Sequence, residues 1–437
     1  MAKPLVAIIG RPNVGKSTLF NRLVGRREAV VTDIPGTTRD RILADVEWDG
    51  HAFTLVDTGG LEPPTDDPLK GKVRAQVEMA IDAADLLIFL VDGVEGLNPI
   101  DEEIALWIRR QEKPSITVVN KLDNPQRELS AAEFYRLGLD EPLYISAYHN
   151  LGIYDLMERT ISLLPPTEVE EEETGVPRIA ILGRTNVGKS MLLNAILGEE
   201  RAIVSEIAGT TRDSLDTRFD FDGNPMVLVD TAGIRRRGQV HQGIERYSVL
   251  RAFRAIERCD IAFMVMDATE IATAQDAHVF GFAADAFKGL VAVINKWDLV
   301  PSEDGAEKEQ AISAVRRRFH FMPYVPIVFT SALTKEGVRD LLILALDMYQ
   351  ERQRVVPPDH LRRVLMDALT TQPPASTGRK QVAIRGVRQV DVNPPTFLFS
   401  VNDPKVHFSY RRYLENRIRE AFNFRYAHLR LVFKRSK

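Results

Sequence analysis

The chain has 437 residues, 44% of them apolar and 27% charged, with a formal net charge of −4. At about 100–200 residues per domain that length predicts roughly two to four domains, and the composition is that of an ordinary globular protein. Apolar stretches such as Leu86–Val91 fall well short of the ~20 residues a membrane span needs, and the single Cys259 excludes an intrachain disulfide and fits a reducing compartment. Cys259 is expected as a small buried hydrophobe.

Leu5–Ile9 reads as a first β-strand and not as a signal peptide, because it leads straight into Gly10-Arg11-Pro12-Asn13-Val14-Gly15-Lys16-Ser17. That octet fits the G-x-x-x-x-G-K-[ST] phosphate loop. Further strand-like runs at Phe53–Val56, Leu86–Val91, Ile116–Val119 and Leu143–Ile145 alternate with helical stretches, each ending at or just before a motif. The pattern predicts a mostly parallel α/β sheet whose ligand lies beyond the carboxyl ends of the strands. After a first domain over 1–164 comes an acidic linker, 165–176, whose two prolines and run of glutamates cannot bury a core.

The same order then returns over 177–353, with strands expected at Arg178–Leu182, Met226–Val229, Ile261–Met266, Leu290–Ile294 and Pro326–Phe329. A second phosphate loop, Gly183-Arg184-Thr185-Asn186-Val187-Gly188-Lys189-Ser190, follows the first by 173 residues. Asp57-Thr58-Gly59-Gly60 returns as Asp230-Thr231-Ala232-Gly233, and Asn120-Lys121-Leu122-Asp123 as Asn295-Lys296-Trp297-Asp298. Ser146-Ala147 returns as Ser331-Ala332, and Pro-Gly-Thr-Thr-Arg-Asp at 35–40 as Ala-Gly-Thr-Thr-Arg-Asp at 208–213.

The last segment, 354–437, carries no phosphate loop and reads as a small α+β domain. A helix is expected at Asp359–Thr370, strands at Gln381–Val387, Thr396–Val401 and Leu429–Phe433, and a basic amphipathic helix at Tyr410–Phe422. From Arg354 onward there are 17 Lys/Arg against 6 Asp/Glu. Such asymmetry points to an anionic partner, with the Arg411, Arg412, Arg417 and Arg419 face as a candidate nucleic-acid surface and a solvated face as the competing reading.

The motifs specify their chemistry. Glycines let the phosphate-loop backbone approach anionic oxygens, and the following helix adds its positive end. Lys16 and Lys189 are expected at the β- and γ-phosphates, and the hydroxyls of Ser17 and Ser190 on Mg²⁺. Arg11, Pro12, Val14 and Thr18 complete the first cradle, and Arg184, Thr185, Val187 and Met191 the second. Asp57 and Asp230 can hold a metal-bound water, while Gly60 and Gly233 can offer an N–H to the γ-phosphate. Thr38 and Thr211 are candidates for a second Mg²⁺ hydroxyl, with Thr37 and Thr210 beside them as alternatives. The Asn-Lys-x-Asp carboxylates, Asp123 and Asp298, accept two hydrogen bonds from guanine that adenine cannot offer. Asn120, Lys121, Asn295 and Lys296 would hold and cover the base, with backbone contacts from Ser146, Ala147, Ser331 and Ala332. Trp297 can lie against the ring or pack inside. Leu61 and Ile234 stand where many GTPases carry a water-orienting Gln, so attack must be organised by something else.

Two G domains, an acidic linker and a basic tail containing Val392-Asn393-Pro394-Pro395-Thr396-Phe397 and His407-Phe408-Ser409-Tyr410-Arg411-Arg412-Tyr413-Leu414-Glu415-Asn416 resemble the Der (EngA) family of bacterial ribosome assembly GTPases. The resemblance covers the whole chain. It implies a KH-like C-terminal domain, GTP hydrolysis to GDP, and association with the large ribosomal subunit, its RNA and its proteins. It also implies stimulation by K⁺ held by Asn13 and Asn186. A cytoplasmic, membrane-free protein, monomeric off the ribosome, is expected. Thr185 and Met191 depart from the family pattern, and the tail lacks the G-x-x-G loop of ordinary KH domains. A tRNA-modification or translation GTPase, and a module with one permanently loaded G domain, are the alternatives.

Overall fold

The computed structural model describes residues 3–25, 43–60, 69–111, 113–123, 130–165, 175–199, 202–204, 216–231, 249–301, 305–320, 322–374 and 382–435. Thr38, Thr211, Gly233 and nearly all of the acidic linker lie outside these described residues. The chain forms two compact units, Met1–Glu172 with Ser248–Arg254, and Glu173–Tyr247 with Ala255–Lys437.

The first unit holds a six-stranded sheet made of β1 (Leu5–Ile9), β2 (Leu43–Trp48), β3 (His51–Asp57), β4 (Leu86–Asp92), β5 (Ser115–Asn120) and β6 (Leu143–Tyr144). They lie in the order β2-β3-β1-β4-β5-β6. Strands β1 and β4 are buried along their whole length, as the unbroken apolar runs LVAII and LLIFLV require when helices cover both faces. Only β2 runs antiparallel, paired to β3. Helices α1 (Lys16–Val24), α2 (Leu69–Ala83), α3 (Pro99–Arg110) and α4 (Ile153–Leu163) provide the crossovers. Helix α3 starts sharply because the Asn98 side chain accepts from the Ile100 N–H, Pro99 fills the first turn, and Asp101 and Glu102 face the positive helix end.

The second unit repeats this plan in seven strands: β7 (Arg178–Leu182), β8 (Ala202–Val204), β9 (Thr217–Phe221), β10 (Asn224–Val229), β11 (Ile261–Asp267), β12 (Gly289–Asn295) and β13 (Ile327–Phe329). Their order is β13-β12-β11-β7-β10-β9-β8, with β9 antiparallel to both of its neighbours, β10 and β8. Its helices are α5 (Lys189–Leu197), the last part of α6 (Val249–Arg258, divided between the two units after Arg254), α7 (Ala274–Asp285), α8 (Ala306–Arg318) and α9 (Val338–Arg352). Cys259 is buried, its thiol donating to the Ile256 carbonyl, and burial pushes its pKa up to about 12.

The C-terminal segment, in the same unit, forms helix α10 (Pro358–Thr371), strands β14 (Ile384–Val392), β15 (Pro395–Val401) and β16 (Arg430–Arg435), and helix α11 (Phe408–Phe422). The sheet order is β14-β15-β16, and Leu361, Leu365, Phe397, Phe399, Leu414 and Ile418 fill its core. Strand β14 runs five residues past the expected end at Val387, because Arg388, Gln389 and Asp391 break the apolar signal on a half-exposed edge. A seam of hydrogen bonds ties this segment to the second G domain. Glu351 Oε1 accepts from the Tyr426 and Ala427 N–H groups at 2.8 and 2.7 Å. The fully buried Arg352 donates across to Asn393 Oδ1 at 2.7 Å, and Asn393 Nδ2 donates in turn to Asp260 Oδ1 at 2.6 Å. On either side, Arg352 also donates to the Phe287 carbonyl of its own domain and Arg354 to the Phe422 and Asn423 carbonyls of the C-terminal segment.

Two candidate nucleotide sites

Each phosphate loop runs from the end of its first strand into a helix whose N-terminal residue is the lysine. Gly10 and Gly183, at φ 150 and 144°, lie so close to the neighbouring strand that a Cβ would sit 2.3 Å from the Leu90 and Val265 carbonyl oxygens. Gly15 and Gly188 cap the helices in the left-handed region, and a Cβ there would meet Asn120 or Asn295 Nδ2 at 2.4 Å. The glycines are therefore fixed by packing as well as by phosphate approach. Asn13 and Asn186, at φ 67 and 63°, form the exposed loop apices. Lys16 Nζ donates to the Gly10 and Arg11 carbonyls at 2.8 Å each, and Lys189 Nζ does the same to Gly183 and Arg184 at 2.9 and 2.5 Å. Burial lowers the Lys16 pKa, with Asp57 opposing that shift. Phosphate oxygens would replace these carbonyls as lysine partners, a charge-assisted exchange.

At the other end of the site, Asn120 Nδ2 donates to the Val14 carbonyl at 2.9 Å and its Oδ1 accepts from the Ala147 N–H at 2.9 Å. Asn295 repeats this with the Val187 carbonyl at 2.8 Å and the Ala332 N–H at 3.0 Å. These asparagines link the phosphate loop to the Ser-Ala loop. Asp123 is half-exposed, 4.0 Å from His149 Nε2, whereas Asp298 Oδ1 accepts from Ser331 Oγ at 2.5 Å. Trp297 is buried edge-on against Phe329, at 4.4 Å between ring centroids, so its role is packing.

The two repeats differ at the D-x-x-G element. In the first, Ser17 Oγ donates to Asp57 Oδ2 at 2.6 Å, the Gly59 N–H to Asp57 Oδ1 at 2.8 Å, and Thr58 Oγ1 to the Ile8 carbonyl. A hydroxyl and a buried carboxylate thus converge beside a helix N-terminus, a hard-oxygen pair that fits Mg²⁺. In the second, Asp230 takes φ 58° and its N–H donates to Asp216 Oδ1 at 3.0 Å, while Thr231 pairs with Thr217. Asp216 also receives Arg178 and Arg258. Gly60 closes a short 3₁₀ turn after Asp57.

Several charged residues around both sites carry no motif and escape sequence reading. Asp92 Oδ2 holds Lys121 Nζ at 2.5 Å and Asp267 Oδ2 holds Lys296 Nζ at 2.7 Å. Arg11 reaches Glu95 at 2.6 Å and Asp101 at 3.3 Å, and Arg184 reaches Glu270 at 2.5 Å. The signal was present as D-x-x-E-x₅-D beginning at Asp92 and again at Asp267. The basic face of α11 is largely engaged. Arg419 turns inward to Glu415, the Ala427 carbonyl and the Tyr324 ring, and Arg411 donates to the Val406 and Pro404 carbonyls.

Paired phosphate loops at the carboxyl ends of two mostly parallel sheets, each with an Asn-Lys-x-Asp loop tied to it by its asparagine, define a GTPase with two G domains. Family comparison agrees: the model described as 50S ribosome-binding GTPase matches residues 5–121 and 178–296, and the KH-domain-like C-terminal model of EngA bacterial GTPase enzymes matches 356–434. The GTPase Der proteins of Thermomicrobium roseum and Chloroflexus aggregans are 50% and 48% identical, covering 99% of this chain and 96% and 98% of theirs. That of Moorella thermoacetica is 48% identical over the full length of both. The chain belongs to the GTPase Der family.

Proposed function

We propose that this GTPase is an assembly factor of the large (50S) ribosomal subunit, working in the cytoplasm and monomeric off the ribosome. The observation that carries the reading is the family model matching both G domains, whose description names 50S binding. The basic tail supports it, since exposed Arg363, Arg388 and Arg412 suit an anionic partner. No helix among the described residues is long and apolar enough to cross a membrane. Lys16 and Lys189 neutralise the β- and γ-phosphates. Ser17 and Ser190 hold Mg²⁺ together with Thr38 and Thr211, and the loops ending in Gly60 and Gly233 sense the γ-phosphate. Asn13 and Asn186 present an amide oxygen where K⁺ would supply the charge that Leu61 and Ile234 cannot. Sedimentation of the full chain with ribosomal subunits, loaded with a non-hydrolysable GTP analogue or with GDP, tests the partner. Cosedimentation with the large subunit in a nucleotide-dependent amount is expected. Equal occupancy in both states, or none, rejects it.

A further inference from the structure

The loop after β4 carries Asp92, Glu95 and Asp101, and the loop after β11 carries Asp267, Glu270 and Asp276, each displaced by 175 residues. Contact with phosphate or guanine does not account for these carboxylates, yet both loops make the same pair of attachments. At one end the strand-terminal aspartate shapes the loop, Asp92 Oδ1 accepting from the Val94 and Glu95 N–H groups, while its other oxygen grips the base-covering Lys121. Asp267 does this with Thr269 and Lys296. At the other end Glu95 and Asp101 close on the guanidinium of Arg11, whose own carbonyl receives Lys16. Arg184 is hydrogen-bonded to Glu270 and lies 3.9 Å from Asp276, a looser ion pair than that of Arg11 and Asp101, since the other Asp276 oxygen accepts from Thr273 in the capping box of α7. The Arg11 and Asp101 side chains are only 8% and 0% exposed, and those of Arg184 and Asp276 17% and 2%. Removing charges from water is costly unless they are paired. Asp101 and Asp276 each stand in the first turn of a helix, which accounts for a carboxylate there but not for a largely buried arginine reaching it from the phosphate loop in both repeats.

We infer that each acidic loop is a brace that fixes the phosphate loop relative to the base lysine, with Arg11 and Asp101, and Arg184 and Asp276, as its positioning residues. A guanine nucleotide bridges the same two anchors, phosphates at one and base at the other. A brace that holds them at the bound separation removes an ordering cost from binding. The arginine is thereby a phosphate-loop residue whose side chain serves the loop and whose backbone serves the ligand. The inference rests on the guanine-nucleotide binding of the family and not on any ribosomal role.

The test uses the full chain with one site silenced by Asp298→Ala or Asp123→Ala and fluorescent GDP as probe. In the Asp298→Ala background, Asp101→Asn should weaken GDP at the first site roughly tenfold, the scale of one charge-assisted hydrogen bond. KM for GTP should rise with kcat little changed. In the Asp123→Ala background the same change should leave the second site unaltered. The double change Arg11→Ala with Asp101→Ala should be no weaker than the worse single one, because the pair acts as a unit. Glu95→Gln, at a carboxylate 56% exposed and so harmless to folding, should weaken the first site two- to threefold. First-site affinity within experimental error of the parent in Asp101→Asn and Glu95→Gln overturns the inference. So do equal losses at both sites, or additive losses in the double variant. A failure of GDP to bind the parent at all would instead reject the underlying family reading.

Discussion

Asn13 holds a left-handed conformation that most side chains avoid, and this separates two reasons for its presence. Asn tolerates that region better than Ala, and Gly adopts it freely. Asn13→Ala should therefore cost about 1 kcal/mol of stability and also abolish the proposed K⁺ stimulation at the first site. Asn13→Gly should abolish the stimulation while leaving the melting temperature unchanged. Turnover rates in KCl and NaCl at equal ionic strength, read beside thermal melts, decide it, and equal parent rates in both salts would remove the cation from the mechanism. The base carboxylates make a second pair. Asp298→Ala strips Ser331 Oγ of its acceptor, whereas Asp123 is half-exposed. Each substitution should eliminate one guanine site, and only Asp298→Ala should also lower the stability of its unit, by about 1 kcal/mol. Nucleotide stoichiometry per chain falling from two to one in each variant is the check. The motif residues could be read from sequence because each motif is a short contiguous string. The brace left only the repeated D-x-x-E-x₅-D spacing as a signal, and its partners could not be read because Arg11 meets Glu95 and Asp101 across separations of 84 and 90 residues.

At the scale of elements, the parallel strands were legible because burial on both faces leaves uninterrupted apolar runs. β2, β8 and β9 were not recognised. β2 mixes Asp45 and Glu47 among its inward residues, and β9 alternates Thr217, Phe219 and Phe221 inward with Arg218 and Asp220 outward. That second pattern was readable as a half-buried strand, but it lies between two nucleotide motifs that invite a loop reading. Phe219 is 2% exposed within the second G-domain core. Phe219→Ala should destabilise the second unit by about 3–5 kcal/mol through the cavity it leaves. Calorimetry of the full chain should show this loss in one transition, with the first unit's melting unchanged. A shift under 1 kcal/mol would mean β9 carries no core.

Across the second unit, His428 packs against Phe287 at 4.5 Å between ring centroids and near Tyr324, joining the C-terminal segment to the second G domain. Burial, and secondarily the cations Arg419 and Arg352, push its pKa down to about 3. In the unfolded chain it titrates near 6.5. Between those values the unfolded state binds the extra proton, so this histidine's contribution is complete above pH 6.5 and is lost as pH falls toward 3. At pH 5 the loss is about 2 kcal/mol. Urea midpoints at pH 7 and pH 5 should diverge in the parent, and the difference should shrink in His428→Phe, which keeps a ring on Phe287. An unchanged difference would assign the acid sensitivity elsewhere.

The seam between those same two parts has a consequence for how freely its sequence can drift. Across it Glu351 is met by two peptide N–H groups, and side chain meets side chain at Asn393, which takes Arg352 and holds Asp260. Main-chain partners are supplied by any residue in the right fold, so the joint asks for few side chains and leaves the rest open to substitution. The C-terminal domain should accordingly be portable. A chimera carrying a relative's domain from position 355 onward should fold onto this second G domain, provided Glu351, Arg352, Arg354 and Asn393 are retained. Its melting temperature should stay within a few degrees of the parent's, whereas the same graft onto a host bearing Glu351→Ala and Arg352→Ala should hang loose and be cut by protease at the joint.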